Sequence, residues 1–350
     1  MSNKRNKSKK NEVNRKSGKK TALKVLLTIL IILLLLFIAA FWYIHNKLSK
    51  VNYVELKNIE INDGVAEQLK GYRNVALFGV DSRANTYEDT RSDCIMVISI
   101  NEDTKQVKIT SIYRDTLVYI EGHGYEKITH AYAYGGPELA INTLNKNFDL
   151  NISEFVAVNF DAVTEIIDSI GGVDINVSSE EVAQINKNID SLASQTGKTS
   201  PKVSRAGTQT LSGGQALAYA RIRKLAGGDI KRTERMRDVL NATFSKAKNL
   251  NIAKLNKLAD ILLPKVYTNV KSSEILGFIP VLTSYNVDSS KGWPYNYQTG
   301  MVDRMSVVIP VNLESNVQQL HKELFGNDNY EVSAKVKEYS NTIINKTGYK

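Results

Sequence analysis

Seven of the 19 residues in "YARIRKLAGGDIKRTERMR" (219–237) are Arg or Lys, a density that asks for an anionic partner. Drawn at about 100° per residue, residues 230–247 place Met236, Val239, Leu240, Phe244 and Ala247 on one apolar face. Arg232 falls within that face, one turn before Met236, and Arg235 lies on its border. A solvated charge run would put its arginines opposite the stripe. A guanidinium turned inward needs a phosphate or a carboxylate. Asp229 is the expected N-cap of this helix, whose free amides and dipole also favour phosphate. Arg221 and Arg223, two residues apart, point the same way if their segment is extended. Arginine forks match phosphate oxygens bidentately. The predicted chemistry is a clamp for one phosphate or pyrophosphate, with internal salt bridges as the plainer alternative.

A second group sits at the ends of three strand-like runs. Asp81 follows "NVALFGV", Asp93 precedes "CIMVISI", and Arg114 and Asp115 follow "VKITSI". The polar "NEDTKQ" between the second and third runs predicts a hairpin, which brings Asp93 and Arg114 to one edge. If the first strand runs parallel to the third, Asp81 joins them. Ligands of α/β folds gather at the carboxyl ends of strands. Two carboxylates beside arginines suit a divalent cation bridging to phosphate. Surface salt bridges at strand ends are the competing reading.

The elements that must position these groups alternate. After the hairpin comes a helical pattern over 135–148, a strand at 155–160, a helix to about 170 with a glycine stop, and a short strand in "GVDINV". Residues 184–206 read as a polar surface excursion. "LSGGQALAYA" opens a helix with a Ser212/Gln215 capping box. Another helix covers 230–250, and helical segments continue to about 285. "MSVVIPV" is an edge strand ending at a proline. This order predicts an α/β fold, a three-layer α/β/α sandwich around a mixed sheet.

The net charge of +10 resembles that of a nucleic-acid binder, but residues 1–24 alone carry +9, which leaves about +1 for all the rest. Residues 25–44 are uncharged and long enough to cross a bilayer as one helix. The basic run ahead of them predicts a cytoplasmic N-terminus. An uncleaved anchor fits better than a signal peptide, since Phe41 and Trp42 follow Ala39 and Ala40 where small residues would be needed. The expected organisation is a basic tail (1–24), a transmembrane anchor (25–44), a stalk (45–71), a catalytic domain (72–330) and a C-terminal tail (331–350). The domain then lies outside the cytoplasmic membrane, where no chromosome is available to bind. Cys94 is the single cysteine, so no internal disulfide forms.

"LSGGQ" matches the signature of transporter ATPases and "TGKT" half of a phosphate loop. The complete loop is missing, because Leu192 stands where its first glycine would be. The four histidines show no zinc-binding pair, and no nucleophile elbow is present.

Taken together, "VALFGVDSR", "RSDCIMVISIN", "ITSIYRDTLV", "KITHAYAYGG", "VNFDAVTEIIDSIGGVDI", "LSGGQALAYARIR" and "GGDIKRTER" resemble the LytR–CpsA–Psr family, in family order over about residues 72–245. The resemblance implies an enzyme that moves an anionic glycopolymer, such as teichoic acid or capsular polysaccharide, from a polyprenyl-pyrophosphate carrier to peptidoglycan. A phosphodiester forms and polyprenyl phosphate leaves. The implied metal is Mg2+, with Mn2+ as the substitute, on Asp81 and Asp93. The implied pyrophosphate ligands are Arg83, Arg91, Arg114, Arg221, Arg223, Arg232 and Arg235. Arg114, Asp115 and Asp229 are the implied catalytic positions, with Asp81 and Asp229 both open as the base. The carrier's lipid needs an apolar tunnel, for which the helices at 137–148 and 160–170 are candidates. The family often has Pro where Tyr113 stands and Gln where Met236 stands, and the second change removes one polar contact to phosphate. Two other functions compete. One is a membrane-bound transcriptional attenuator, which would need a DNA-binding motif on the cytoplasmic side, where only the basic tail lies. The other is a polymer-binding protein without turnover. Hydrolysis of the carrier pyrophosphate is a possible side reaction of the same site.

Overall fold

The structure, a computed structural model, describes Tyr43, Asn46 and residues 49–80, 90–271, 274, 275, 277, 281 and 284–350. The expected tail and anchor at 1–24 and 25–44 lie outside the described residues, Tyr43 excepted, as do Asp81 and Arg83. Among the described residues no helix is long and apolar enough to cross a membrane.

Alternating burial along the strands builds the sheet. In β2 (Tyr72–Val80), Ala76, Phe78 and Val80 are buried towards one layer, while Leu77 faces the other. β3 (Ser92–Asn101) and β4 (Gln106–Ile112) form the expected hairpin, and both β2–β3 and β3–β4 are antiparallel, so β2 and β4 run the same way. β7 (Glu154–Asn159) lies parallel to β2. Two short edge strands, β1 (Asn52–Tyr53) and β10 (Tyr267–Thr268), extend that side, and β11 (Asn286–Trp293) runs parallel to β4 on the other. The order is β1-β10-β7-β2-β3-β4-β11, a mixed sheet. Sequence reading missed β11 because "NVDSSKGW" is polar and pairs on one side only.

Helices cover both faces, as the three-layer expectation requires. On one face α2 (Thr129–Phe148), α8 (Leu313–Phe325) and α9 (Ala334–Thr347) bury Ile141, Leu144, Phe148, Val317, Leu320 and Ile343 against Phe78, Ile95 and Val97. On the other face lie α3 (Phe160–Ser169), α4 (Ser179–Thr196), α5 (Gly213–Ala220) and α6 (Gly228–Lys248). Their Ile167, Ile185, Ile189, Ala216 and Val239 pack with Met96, Val107 and Ile109. Each of these side chains other than Ala216 contributes roughly 1.5–3 kcal/mol of hydrophobic stabilisation when fully buried.

Several boundaries differ from expectation. The compact unit begins at Val51, not at 72. Val65 and Leu69, on and just after α1 (Val65–Gln68), are buried, and Asn62 donates to Asp149 Oδ1 at 2.6 Å, so 51–71 is part of the domain and no free stalk. The segment 331–350 holds α9, whose Tyr339 stacks on Tyr119 at 4.8 Å, and is no tail. The polar excursion at 184–206 is largely α4. A full Ser178/Glu181 capping box starts it, and buried Gln184, Ile185 and Ile189 give it an inward face too narrow to dominate its polar composition. Helical segments continue towards 285 as expected: α7 (Ile252–Leu262) is followed by a 3-10 turn and the short β10, and Glu274, Ile275, Gly277 and Val281 are helical again. β13 (Met305–Pro310) pairs with β12 (Tyr297–Val302) and ends on the proline, as expected of an edge.

Candidate active site

A break in pairing register places the central carboxylate. Gly79 pairs with Cys94 and Val80 with Ser92, so Asp93 is the extra residue of a β-bulge. Strict alternation would put Asp93 on the face of Ile95 and Val97, against α2. A bulge re-aims a side chain and kinks the strand. Asp93 accordingly meets arginines from the opposite layer. Its Oδ2 lies 3.4 Å from Arg223 Nη2 and 3.8 Å from Arg232 Nη1. Its Oδ1 accepts a hydrogen bond from Arg114 Nη1, just past β4.

The cluster continues on both sides. Arg114 Nε lies 3.5 Å from Asp115 Oδ2, and Lys127 Nζ lies 3.1 Å from Asp115 Oδ1. Lys127 closes β6 (Gly124–Lys127), which pairs with β5 (Leu117–Ile120), and was missed as a site residue although it opens the quoted "KITHAYAYGG". Asp229 Oδ1 lies 3.4 Å from Arg223 Nε and 3.1 Å from Arg232 Nη2. Asp229 is not the N-cap of α6. Gly227 is, at φ 85°, without a side-chain cap, and Asp229 stands in the first turn. A left-handed glycine brings the chain sharply into the helix and leaves the Asp229 carboxylate for the arginines.

Burial opposes the Arg114 charge, but Asp93, Asp115 and Asp229 more than offset it and raise its pKa. Arg232 is 1 % exposed, as its place on the apolar face predicted. Its Nε and Nη2 and the Nε of Arg114 are buried and make no hydrogen bond among the described residues. Buried donors of this kind cost free energy unless an acceptor meets them, and a charged phosphate oxygen is a strong acceptor for such forks.

Two predicted arginines stand apart. Arg235 Nε donates to Glu181 Oε1 at 2.7 Å, with side-chain exposures of 9 % and 12 %. It is a strut between α4 and α6, with its Nε held by Glu181. Arg91 is exposed just ahead of β3 and pairs with no described carboxylate. Asp81 and Arg83 lie outside the described residues.

Two cavities open on this layer. The first, about 310 Å3, is lined by Asp93, Arg221, Arg223, Lys224 and Arg232 at one end and by residues of α4 at the other. The second, about 230 Å3, is apolar and lies between the sheet and α3, α5 and α6, lined by Leu77, Met96, Val158, Ile166, Leu217 and Leu240 among others. Phe160 and Met236 line both. The Arg221 guanidinium sits 5.6 Å from the Phe160 ring centroid, on the polar side of that boundary. Of the two helices proposed for a lipid tunnel, 160–170 takes part and 137–148 does not, since α2 packs on the far side of the sheet. "LSGGQ" owes its first glycine to packing. A Cβ on Gly213 would lie 2.1 Å from Thr164 O, so only glycine lets α5 start this close to α3.

Among the described residues no group of three or more His, Cys, Asp or Glu gathers to hold a metal. Asp93 is the one predicted metal carboxylate within them, and its oxygens are shared among Arg114, Arg223 and Arg232.

An apolar cavity beside an arginine-walled polar one, with Phe160 and Met236 lining both, suits an amphiphile with a compact anionic head. The sequence model of the LytR_cpsA_psr family matches residues 38–324, and the chain belongs to this family. It is 34 % identical over 257 residues to the polyisoprenyl-teichoic acid–peptidoglycan teichoic acid transferase TagT of Bacillus subtilis strain 168, covering 72 % of this chain and 75 % of that protein. The solved structure of TagT bound to LI-WTA superposes with a TM-score of 0.61 at 29 % identity, over 79 % of this chain and 99 % of that one. A structure of YwtF (TagT) with bound octaprenyl pyrophosphate lipid gives 0.55 at 27 % identity, over 79 % and 96 %.

Proposed function

We propose that this protein transfers an anionic glycopolymer, a teichoic acid or a capsular polysaccharide, from a polyprenyl-pyrophosphate carrier to peptidoglycan. The observation that carries the reading is the adjacency of the apolar cavity and the arginine-walled one, with Phe160 and Met236 lining both. The first suits a few isoprene units of a prenyl chain and the second a pyrophosphate. The family membership and the likeness to teichoic acid transferases support the same reading.

In the proposed reaction a peptidoglycan hydroxyl attacks the phosphorus that carries the polymer. The new P–O bond makes a phosphodiester. The bond from that phosphorus to the bridging oxygen breaks, and polyprenyl phosphate leaves with the electron pair. Such transfer depends on positioning and charge neutralisation more than on a covalent nucleophile. Arg114, Arg223 and Arg232 hold charge on the leaving phosphate. Asp115 and Lys127 fix Arg114. Asp229, with 44 % side-chain exposure, is the most open carboxylate of the described cluster and takes the hydroxyl proton, unless Asp81 does so.

The reading also assigns Mg2+, or Mn2+, to Asp93 with Asp81. Mg2+ is commonly held by one or two carboxylates together with substrate phosphates, and Asp93 is the one of this pair among the described residues. The ion would neutralise phosphate charge. The same reading anchors the chain in the cell membrane by residues 25–44, with the N-terminus in the cytoplasm and the domain outside. A topology reporter fused after Lys350 tests that placement, since activity of a cytoplasmic reporter overturns it.

The reaction is tested with the full chain in detergent micelles, Mg2+, a lipid-pyrophosphate-linked glycan and peptidoglycan oligomers, with mass spectrometry of the joined product. Product that disappears in Arg114→Ala supports the transferase. Bound lipid without product supports a binding protein instead.

A further inference from the structure

The arginine-walled cavity has a second wall of different chemistry. α4 presents Gln184, Asn188, Ser191 and Gln195 to it, spaced at four, three and four residues, a single stripe along the helix. The neighbouring face of α4 carries Ile185 and Ile189 into the core. No charge lies on the stripe. Its groups are amides and a hydroxyl, each able to donate and accept.

These side chains are oriented in advance. Gln184 Nε2 donates to Asn188 Oδ1 at 3.2 Å, and Asn188 Nδ2 donates to Ala218 O of α5 at 2.8 Å. Gln195 Nε2 donates to Ser191 Oγ at 2.9 Å. The Glu181–Arg235 strut fixes the start of α4 against α6, and Asn186 holds the loop behind it through Val203. Gln184 and Asn188 are thereby held in place with little or partial exposure, while Ser191 and Gln195 are exposed and bonded to each other.

The order of chemistry across the site is then apolar cavity, guanidinium cluster, neutral hydrogen-bonding wall. A ligand complementary to all three has a hydrocarbon, an anionic middle and an uncharged polar end. We propose that the α4 stripe is the subsite for the sugar joined directly to the pyrophosphate, read through neutral hydrogen bonds to its hydroxyl or amide substituents. The proposal rests on the carrier-lipid reading above and assigns a new part of the same site. At about 310 Å3 the cavity lies at the low end of ligand pockets, roughly 300–1,000 Å3. It has room for the head group and the first ring, not for a length of polymer. Selection is therefore for the first sugar, and the later repeat units stay outside.

The test uses the full chain in micelles and two probes, polyprenyl pyrophosphate alone and polyprenyl pyrophosphate bearing one N-acetylhexosamine. Affinity is measured for the natural sequence, Asn188→Leu and Ser191→Ala. The sugar-bearing probe is expected to bind the natural sequence more tightly. Loss of one or two hydrogen bonds weakens that probe about tenfold in Asn188→Leu, with a smaller loss in Ser191→Ala, while the sugar-free probe keeps its affinity within about twofold. Retained binding of the sugar-free probe also reports that the variants fold. Equal affinity of the natural sequence for both probes overturns the subsite and leaves the carrier-lipid reading standing. Equal weakening of both probes in both variants overturns it as well, making the stripe structural. Binding of neither probe overturns the carrier-lipid reading, and the subsite with it.

Discussion

Arg232 Nη1 lies 3.8 Å from Asp93 Oδ2, which joins the first turns of α6 to the bulge in β3. One residue comes from the helical layer and the other from the sheet. Everything proposed for the phosphates depends on this meeting. Arg232→Lys keeps the charge and loses the fork. Turnover should fall about 100-fold or more, in line with the loss of one oriented donor to developing charge. The check is kcat of the purified variant, with the unfolding midpoint measured alongside to show that the fold is kept.

Arg235 is expected to act on stability. Removing one partner from a nearly buried ion pair strands the other charge and costs about 3–5 kcal/mol. Arg235→Ala should therefore lower the denaturation free energy by that order, read from urea titration. Arg235→Met combined with Glu181→Gln, which keeps an acceptor for the Ser178 amide of the capping box, should recover most of it, since both charges are gone. A direct phosphate ligand would behave differently, with the double variant as inactive as the single one.

Much of this was legible in the sequence. The wheel over 230–247 put Arg232 inside the apolar face, and it is buried. The same wheel left Arg235 on the border, and what decides its role is Glu181, 54 residues earlier on a helix that polar composition concealed. The hairpin of β3 and β4 was legible from alternation, but the bulge at Asp93 was not, because register is set by pairing with β2. The apolar cavity was only half foreseen. α2 and α3 have similar apolar spacing, and the sequence does not say which face of the sheet each covers. Residues 51–71 looked like a stalk for want of periodicity, yet Asn62 and Asp149 tie them down by a side-chain bond 87 residues apart.

The apolar cavity can be closed without touching the arginines. Val163→Phe projects a ring into it from α3. Affinity for polyprenyl pyrophosphate should drop about tenfold or more, while inorganic pyrophosphate binds as before. Calorimetric titration with each compound separates the two effects.

His321 predicts a pH effect on stability remote from the site. It is fully buried, stacks on Tyr330 at 3.5 Å, and burial lowers its pKa to about 4. The unfolded chain titrates near 6.5, so it takes up the proton first as pH falls. Stability is full above about pH 6.5 and is lost as pH drops towards 4, by about 3 kcal/mol in all. Thermal unfolding across this window should show the fall, and His321→Gln should flatten it.

In the proposed reaction the polymer leaves the lipid with one phosphate attached. The most direct measurement labels the polymer-side phosphorus of the carrier lipid with a radioisotope and follows it through one turnover on peptidoglycan. Phosphodiester transfer puts the label in the peptidoglycan fraction, equimolar with the transferred polymer, and leaves unlabelled polyprenyl phosphate in the lipid fraction. Label that stays with the lipid, or that appears only on free phosphorylated polymer in the presence of acceptor, contradicts it.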